Sequence, residues 1–345
     1  MEPKRINLAL QGGGAHGAVT WGVLDRLLQD EASEIAGISG TSAGALNGAA
    51  LKSGMLENGR AGARANLDWL WRQMGAIHDF RLSGWMTTLM PSAGQVNQWL
   101  DAAAPFSPLD VATQMFSPYA LGPAWVNPLE RVVRRFRFDR VCAMEGPALF
   151  VSATNVRTGK VRVFRGDDIT TEAILASACL PTLFKAVEIP DPDGGRMDAY
   201  WDGGYTGNPA LFPLYDAALP DDIVIVNINP LCRDEVPTTP QDIQNRINEI
   251  SFNSSLLREL RGLAMFKELL AKEQVTPGAM PDANIHMIAD DELMNTLSAG
   301  TKLTPTPFLL HELKTAGRAA ADRFLRAHRG DLGACSTVDL AGMLA

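Results

Sequence analysis

The first 53 residues alternate short apolar runs with glycine turns and helix-patterned stretches, and this alternation constrains the fold most. Residues 5–11 are an apolar run the length of a buried strand, and Gly12, Gly13 and Gly14 follow directly. From Ala15 to Gln29 the apolar residues Val19, Val23, Leu24, Leu27 and Leu28 recur at helical spacing. A second apolar run, 34–39, ends in Ser39; the turn Gly40–Gly44 follows, and Ser42–Leu51 is alanine-rich and helix-like. Strand, helix, strand, helix in this order predicts a parallel sheet wrapped by helices.

Further strands are predicted at 148–154, 161–164, 222–228 and 285–288, with helices at 240–274 and 307–328. Between about 55 and 130 the character changes. Trp69, Trp71, Trp85, Trp99 and Trp125 crowd there, and prolines 91, 105, 108, 118, 123 and 128 interrupt it. This stretch reads as a helical cap or lid inserted into a single domain spanning 1–345, with a helical C-terminal extension over about 240–345.

The chain has 345 residues, of which 46% are hydrophobic and 20% charged, enough for a large core. A net charge of −8 argues against nucleic acid, whose binding rests on Lys and Arg at phosphates. Cys142, Cys179, Cys232 and Cys335 have no C-x-x-C or zinc-like spacing and read as reduced thiols, which fits a cytoplasmic setting. No signal peptide and no bilayer-spanning run is predicted, so membrane contact is expected to be peripheral.

Three short patterns carry chemistry. Gly40-Thr41-Ser42-Ala43-Gly44 is a G-x-S-x-G turn between a strand and a helix, where a serine is held exposed on a sharp bend. The helix start behind it favours developing negative charge, and the small Gly40 and Gly44 let the turn close. Gly12-Gly13-Gly14-Ala15-His16-Gly17 lies at an equivalent strand-to-helix junction, where successive N–H groups can hold an oxyanion. The same residues satisfy G-x-G-x-x-G, so a nicotinamide- or flavin-dependent oxidoreductase is the alternative. That reading wants an acid at the end of the second strand, but Glu34 begins it. Asp202-Gly203-Gly204 with Asn208-Pro209 offers a carboxylate that a serine nucleophile could use as base, if the fold brings it close.

Together with Ser177-Ala178-Cys179-Leu180-Pro181-Thr182-Leu183-Phe184, these motifs resemble the patatin-like phospholipase family, in the family's order, over about residues 6–210. The resemblance implies a three-layer α/β/α sandwich and a lipid acyl hydrolase acting without metal or cofactor on a lipid or other acyl ester, a polyester included. It makes Ser42 the nucleophile, Asp202 its dyad partner and the backbone of Gly12, Gly13 and Gly14 the oxyanion hole, with Gly203 and Gly204 supporting the site. His16 fills a slot where the family often has Arg or Lys. At an ordinary pKa near 6.5 it would be partly charged at neutral pH and would support the oxyanion loop. An ordinary aspartate is a weak base for a hydroxyl, so the site must raise the Asp202 pKa by burial.

Two surface features stand apart. Arg131, Arg134, Arg135, Arg137 and Arg140 could grip anionic headgroups or form a solvated basic face. Trp85-Met86 to Leu89-Met90 could enter a lipid interface or pack beneath the cap.

Overall fold

The computed structural model describes residues 3–78, 117–121, 127–191, 194–276, 282–297 and 299–344. Eight strands form one mixed sheet: β1 Lys4–Leu10, β2 Ser33–Thr41, β3 Ala148–Asn155, β4 Val161–Arg165, β5 Val187–Pro190, β6 Met197–Asp202, β7 Asp222–Val226 and β8 Asn284–Ile288. The order is β5-β6-β3-β2-β1-β7-β8, with β4 paired to β3. β3, β2, β1, β7 and β8 run parallel; β4 and β6 are antiparallel to β3, and β5 to β6.

Strict alternation in the parallel strands sends side chains to two cores. Leu8, Leu10, Val224 and Val226 pack against α1 Gly17–Leu27, α2 Ala43–His78 and later helices, while Ala9, Ile223 and Ile225 face the opposite layer. That opposite layer is built on α4 Pro240–Ala271, through Leu256, Leu260 and Leu263. Between them in sequence lies the short α3 Thr171–Ser177, and the chain's last long helix is α5 Pro307–His328. The result is a three-layer α/β/α sandwich. Strands buried on both faces explain why β1, β2 and β7 read as continuous apolar runs.

Every strand read from the sequence is present, within one or two residues at most ends. β5, β6 and α3 were not foreseen. Residues 79–116 and 122–126, which hold most of the expected cap and the Trp85–Met90 stretch, lie outside the described residues. The beginning of that region, 60–78, is the second half of α2 after a break at Asn58 and Gly59, and its Ala63, Leu67, Leu70 and Trp71 are buried in the main core. The C-terminal extension is mostly helical but contributes β8, the sheet's edge strand beside β7.

The tightest helix contact joins the two ends of the chain. A Cβ on Gly22 of α1 would sit 2.0 Å from the Lys314 carbonyl oxygen, and one on Gly317 of α5 would sit 2.0 Å from that of Val19. The two backbones touch, so only glycine fits at either place. Gly317→Ala should therefore destabilise the protein by about 3 kcal/mol or more, although alanine is the better helix former by about 1 kcal/mol. Thermal unfolding checks this, and an unchanged or raised Tm would show that the helices are free to separate.

Candidate active site

The register of β3 positions the site. β4 occupies one edge of β3 over 150–154, so β2 and β6 must share the other. β2 runs parallel and ends with Thr41 opposite Ser152, whereas β6 runs antiparallel and ends with Asp202 opposite Ala153. The two strands meet end to end, and the residue that leaves β2 is Ser42. Residues 160 positions apart (202 − 42) thus adjoin because they abut on consecutive residues of one strand.

Ser42 turns the chain sharply from β2 into α2 with φ +55°, a left-handed conformation that costs a non-glycine residue on the order of 1 kcal/mol. Its neighbours make the bend feasible. A Cβ on Gly40 would lie 2.6 Å from the Gly44 carbonyl oxygen, and one on Gly44 would lie 2.1 Å from that of Leu10. The Ser42 N–H donates to Ser177 Oγ at 2.9 Å, and the Ser42 carbonyl accepts from Leu46 N–H. The hydroxyl therefore stands on a backbone fixed from both sides.

Asp202 is completely buried. Its Oδ1 accepts the Gly204 N–H at 2.8 Å, whereas the buried Oδ2 has no aligned hydrogen-bond partner among the described residues. Its backbone N–H donates to the Cys179 carbonyl, and its own carbonyl accepts from Thr154 Oγ1. Burial pushes the carboxyl up to about 7; the Gly204 N–H and the neighbouring Ser42 hydroxyl oppose this but do not cancel it. The rise that the chemistry of a lone aspartate requires is thus present. Burial pushes the nearby Cys179 thiol up to about 12, with the Asp202 charge adding to the effect, so that thiol stays protonated.

The segment 177–179 ties the pair together: Ser177 holds the Ser42 backbone and Cys179 holds that of Asp202. Sequence reasoning assigned these residues no role, although they stand in the third shared motif. Gly203 and Gly204 are packed too closely for any side chain. A Cβ on Gly203 would fall 2.2 Å from the Ser152 carbonyl oxygen, and one on Gly204 2.6 Å from the Phe252 ring.

The glycine loop lies against the same spot; a Cβ on Gly12 would be 2.6 Å from that of Ser42. The Gly12 N–H, however, is spent inside the fold: it donates to Asn208 Oδ1 at 2.7 Å. The N–H groups of Gly13 and Gly14 meet no acceptor among the described residues. The loop's unengaged N–H groups are therefore those of Gly13 and Gly14, with Gly12 tied to Asn208.

His16 differs from expectation. It is buried, its Nε2 is 2.8 Å from Thr301 Oγ1, and its Nδ1 has no partner among the described residues. Burial, reinforced by the positive Lys302 and Arg233, drives its pKa well below 6.5, so it is neutral at physiological pH instead of partly charged. Of the other histidines, His286 bonds Asp222, His328 bonds Asp331 and His311 lies on α5. The arginine cluster is largely engaged, with Arg134 on Glu130, Arg137 on Asp139 and Arg140 on Glu57. Arg135 bonds Gln73 on the returning half of α2, so the cluster runs along that helix from Glu57 to Gln73. Glu34 begins β2, at the end of that strand away from Ser42, and pairs there with Arg5.

The pattern of the patatin-like phospholipase family matches residues 8–217. No curated protein matches. Among solved structures, VipD from Legionella pneumophila covers 94% of this chain and 67% of its own at 13% identity and a TM-score of 0.43. The heterodimeric ExoU–SpcU complex of the Pseudomonas aeruginosa type III secretion system covers 99% and 75% at 19% identity and a TM-score of 0.29.

The raised Asp202 pKa has a consequence for stability. The carboxyl titrates near 7 when folded and near 4 when unfolded. Between those values the folded chain keeps a proton the unfolded chain has released. Stability is therefore lost as pH rises from about 4 to about 7, by on the order of 4 kcal/mol at most. Asp202→Asn removes this dependence, so relative to wild type its Tm should be higher at pH 8 than at pH 5 by several degrees. A Tm difference that stays constant with pH would mean that the carboxyl is not buried as described.

Proposed function

As the chain belongs to the patatin-like phospholipase family, we propose that it is a serine lipid acyl hydrolase of the phospholipase A type, with Ser42 as nucleophile and Asp202 as its base. The observation that carries this reading is the end-to-end meeting of β2 and β6, which sets a strained serine beside a buried carboxyl of pKa about 7.

In the proposed cycle Ser42 Oγ attacks the ester carbonyl while Asp202 Oδ2 takes the hydroxyl proton. The carbonyl oxygen becomes an oxyanion facing the N–H groups of Gly13 and Gly14, and the start of α2 adds a favourable dipole. Collapse breaks the bond to the alcohol, which leaves with the proton from Asp202, and the acyl group stays on Ser42. Water then attacks, Asp202 again takes the proton, and the second collapse releases the carboxylic acid and restores Ser42. A base near pKa 7 is deprotonated in about half of the molecules at neutral pH and still accepts a proton far better than an ordinary carboxylate. No step needs a metal or a cofactor. Gly203, Gly204, Gly40 and Gly44 support the site by letting its backbones close, and neutral His16 props the glycine loop through Thr301.

The substrate is a lipid ester met at a membrane surface, which the enzyme approaches peripherally from the cytoplasm. The four cysteines are all free, which agrees with a reducing compartment. Among the described residues no helix is long and apolar enough to cross a membrane.

A fluorophosphonate should label Ser42 alone, and Ser42→Ala should lose both label and ester turnover while keeping the wild-type Tm within a few degrees. Label found on another serine by peptide mapping, or turnover surviving in Ser42→Ala, would refute the assignment.

A further inference from the structure

The glycine loop leans on a part of the chain well beyond the family match. A Cβ on Gly14, which has φ +60°, would lie 2.4 Å from the carbonyl oxygen of Lys302, so the loop backbone rests directly on the short helix Ala299–Leu303. The neighbouring Thr301 bonds His16. The Lys302 side chain, only 16% exposed, reaches Glu249 Oε1 at 3.3 Å and Asn245 Oδ1 at 3.4 Å. Glu249 is fully buried and also takes Arg233 through two bonds of 2.8 and 2.7 Å, and Arg246 at 3.4 Å. Three cations thus surround one carboxylate, with the exposed Asp242 also acting on Arg233; burial pulls the Lys302 ammonium below its usual pKa and Glu249 opposes this, so positive charge outweighs negative behind the loop.

A second strut joins this cluster to the loop. Gln11 Oε1 accepts the N–H groups of Ile228 and Asn229, and Gln11 Nε2 donates to Asn253 of α4. Asn229 Nδ2 donates to the Gly12 carbonyl. The loop is clamped by polar bonds on this side, and a buried cluster with excess positive charge stands close by. A neutral His16 in the loop supplies none of that charge.

Resting on the hydrolase reading above, we infer that Lys302 is a positioning residue for the oxyanion loop: its carbonyl backs Gly14, and its ammonium, held by Glu249 beside Arg233 and Arg246, supplies the positive field that His16 lacks. The working catalytic unit then extends past residue 217 and includes α4 and the helix Ala299–Leu303. A charge that is fixed in place, shielded from water and near the developing oxyanion lowers the barrier without tightening substrate binding.

The test uses the full-length protein and a soluble p-nitrophenyl ester, with turnover normalised to the fluorophosphonate-titrated sites. Lys302→Met should lower kcat about tenfold and leave KM within twofold, and Lys302→Arg should recover to within about threefold of wild type. Arg233→Met, which keeps the Gly14–Lys302 backbone contact, should lower kcat about threefold; this arm decides the matter if Lys302→Met does not fold. Unchanged kcat in Lys302→Met or in Arg233→Met overturns the proposal. So does an equal loss in Lys302→Met and Lys302→Arg, which would mean packing and not charge. Ser42→Ala, normalised to protein concentration because it takes no label, is run beside them: its retaining turnover would sink the hydrolase reading itself, whereas a dead Ser42→Ala with unaffected Lys302 variants would sink only this inference.

Discussion

The structure depends on two strands of opposite direction sharing one edge of β3. β2 can extend no further than Thr41 because β6 arrives from the other end and stops at Asp202. Where a strand ends against another, the backbone must leave the sheet, and here it leaves as the tight turn at Ser42. The same collision buries Asp202. The geometry that sets Ser42 beside Asp202 is thus a by-product of hydrogen-bond register, a property in which a one-residue slip would move every side chain to the other face.

Burial without a cation gives the carboxyl its chemistry. Among the described residues its direct support comes from one backbone N–H and the adjacent hydroxyl, and its outer oxygen has no aligned partner. Positive charge is present nearby but on the other side of the glycine loop, in Lys302, Arg233 and Arg246. That separation matters: a cation against Asp202 would stabilise its charged form and make it a poor base, whereas one behind the loop acts where negative charge develops. The two halves of the site need opposite electrostatics, and the fold keeps them apart.

Much of this was legible in the sequence. β1, β2 and β7 each carry an apolar run because both of their faces are buried, and glycine turns mark where β1 and β2 end. β6 was missed because its buried positions are Asp198, Tyr200 and Asp202, so Met197–Asp202 shows no apolar alternation in the sequence. The pairing of Ser42 with Asp202 came from motif resemblance, since no local pattern encodes a contact across 160 positions. The neutral state of His16 was invisible for a similar reason: it depends on burial under Thr301 and on cations at 233 and 302. Only the fold shows, too, that Asn208 uses up the Gly12 N–H.

The central claim is that a buried Asp202, its pKa pushed up to about 7, serves in its deprotonated form as the base for Ser42. The pH dependence of kcat/KM for a soluble ester, measured from pH 5 to pH 9, tests it most directly, because that ratio reports the ionisation of the free enzyme. The account predicts a rising limb with a single midpoint within about one unit of 7, as burial of Asp202 dictates. A profile already flat at pH 5, as an exposed carboxylate of ordinary pKa would give, would contradict it.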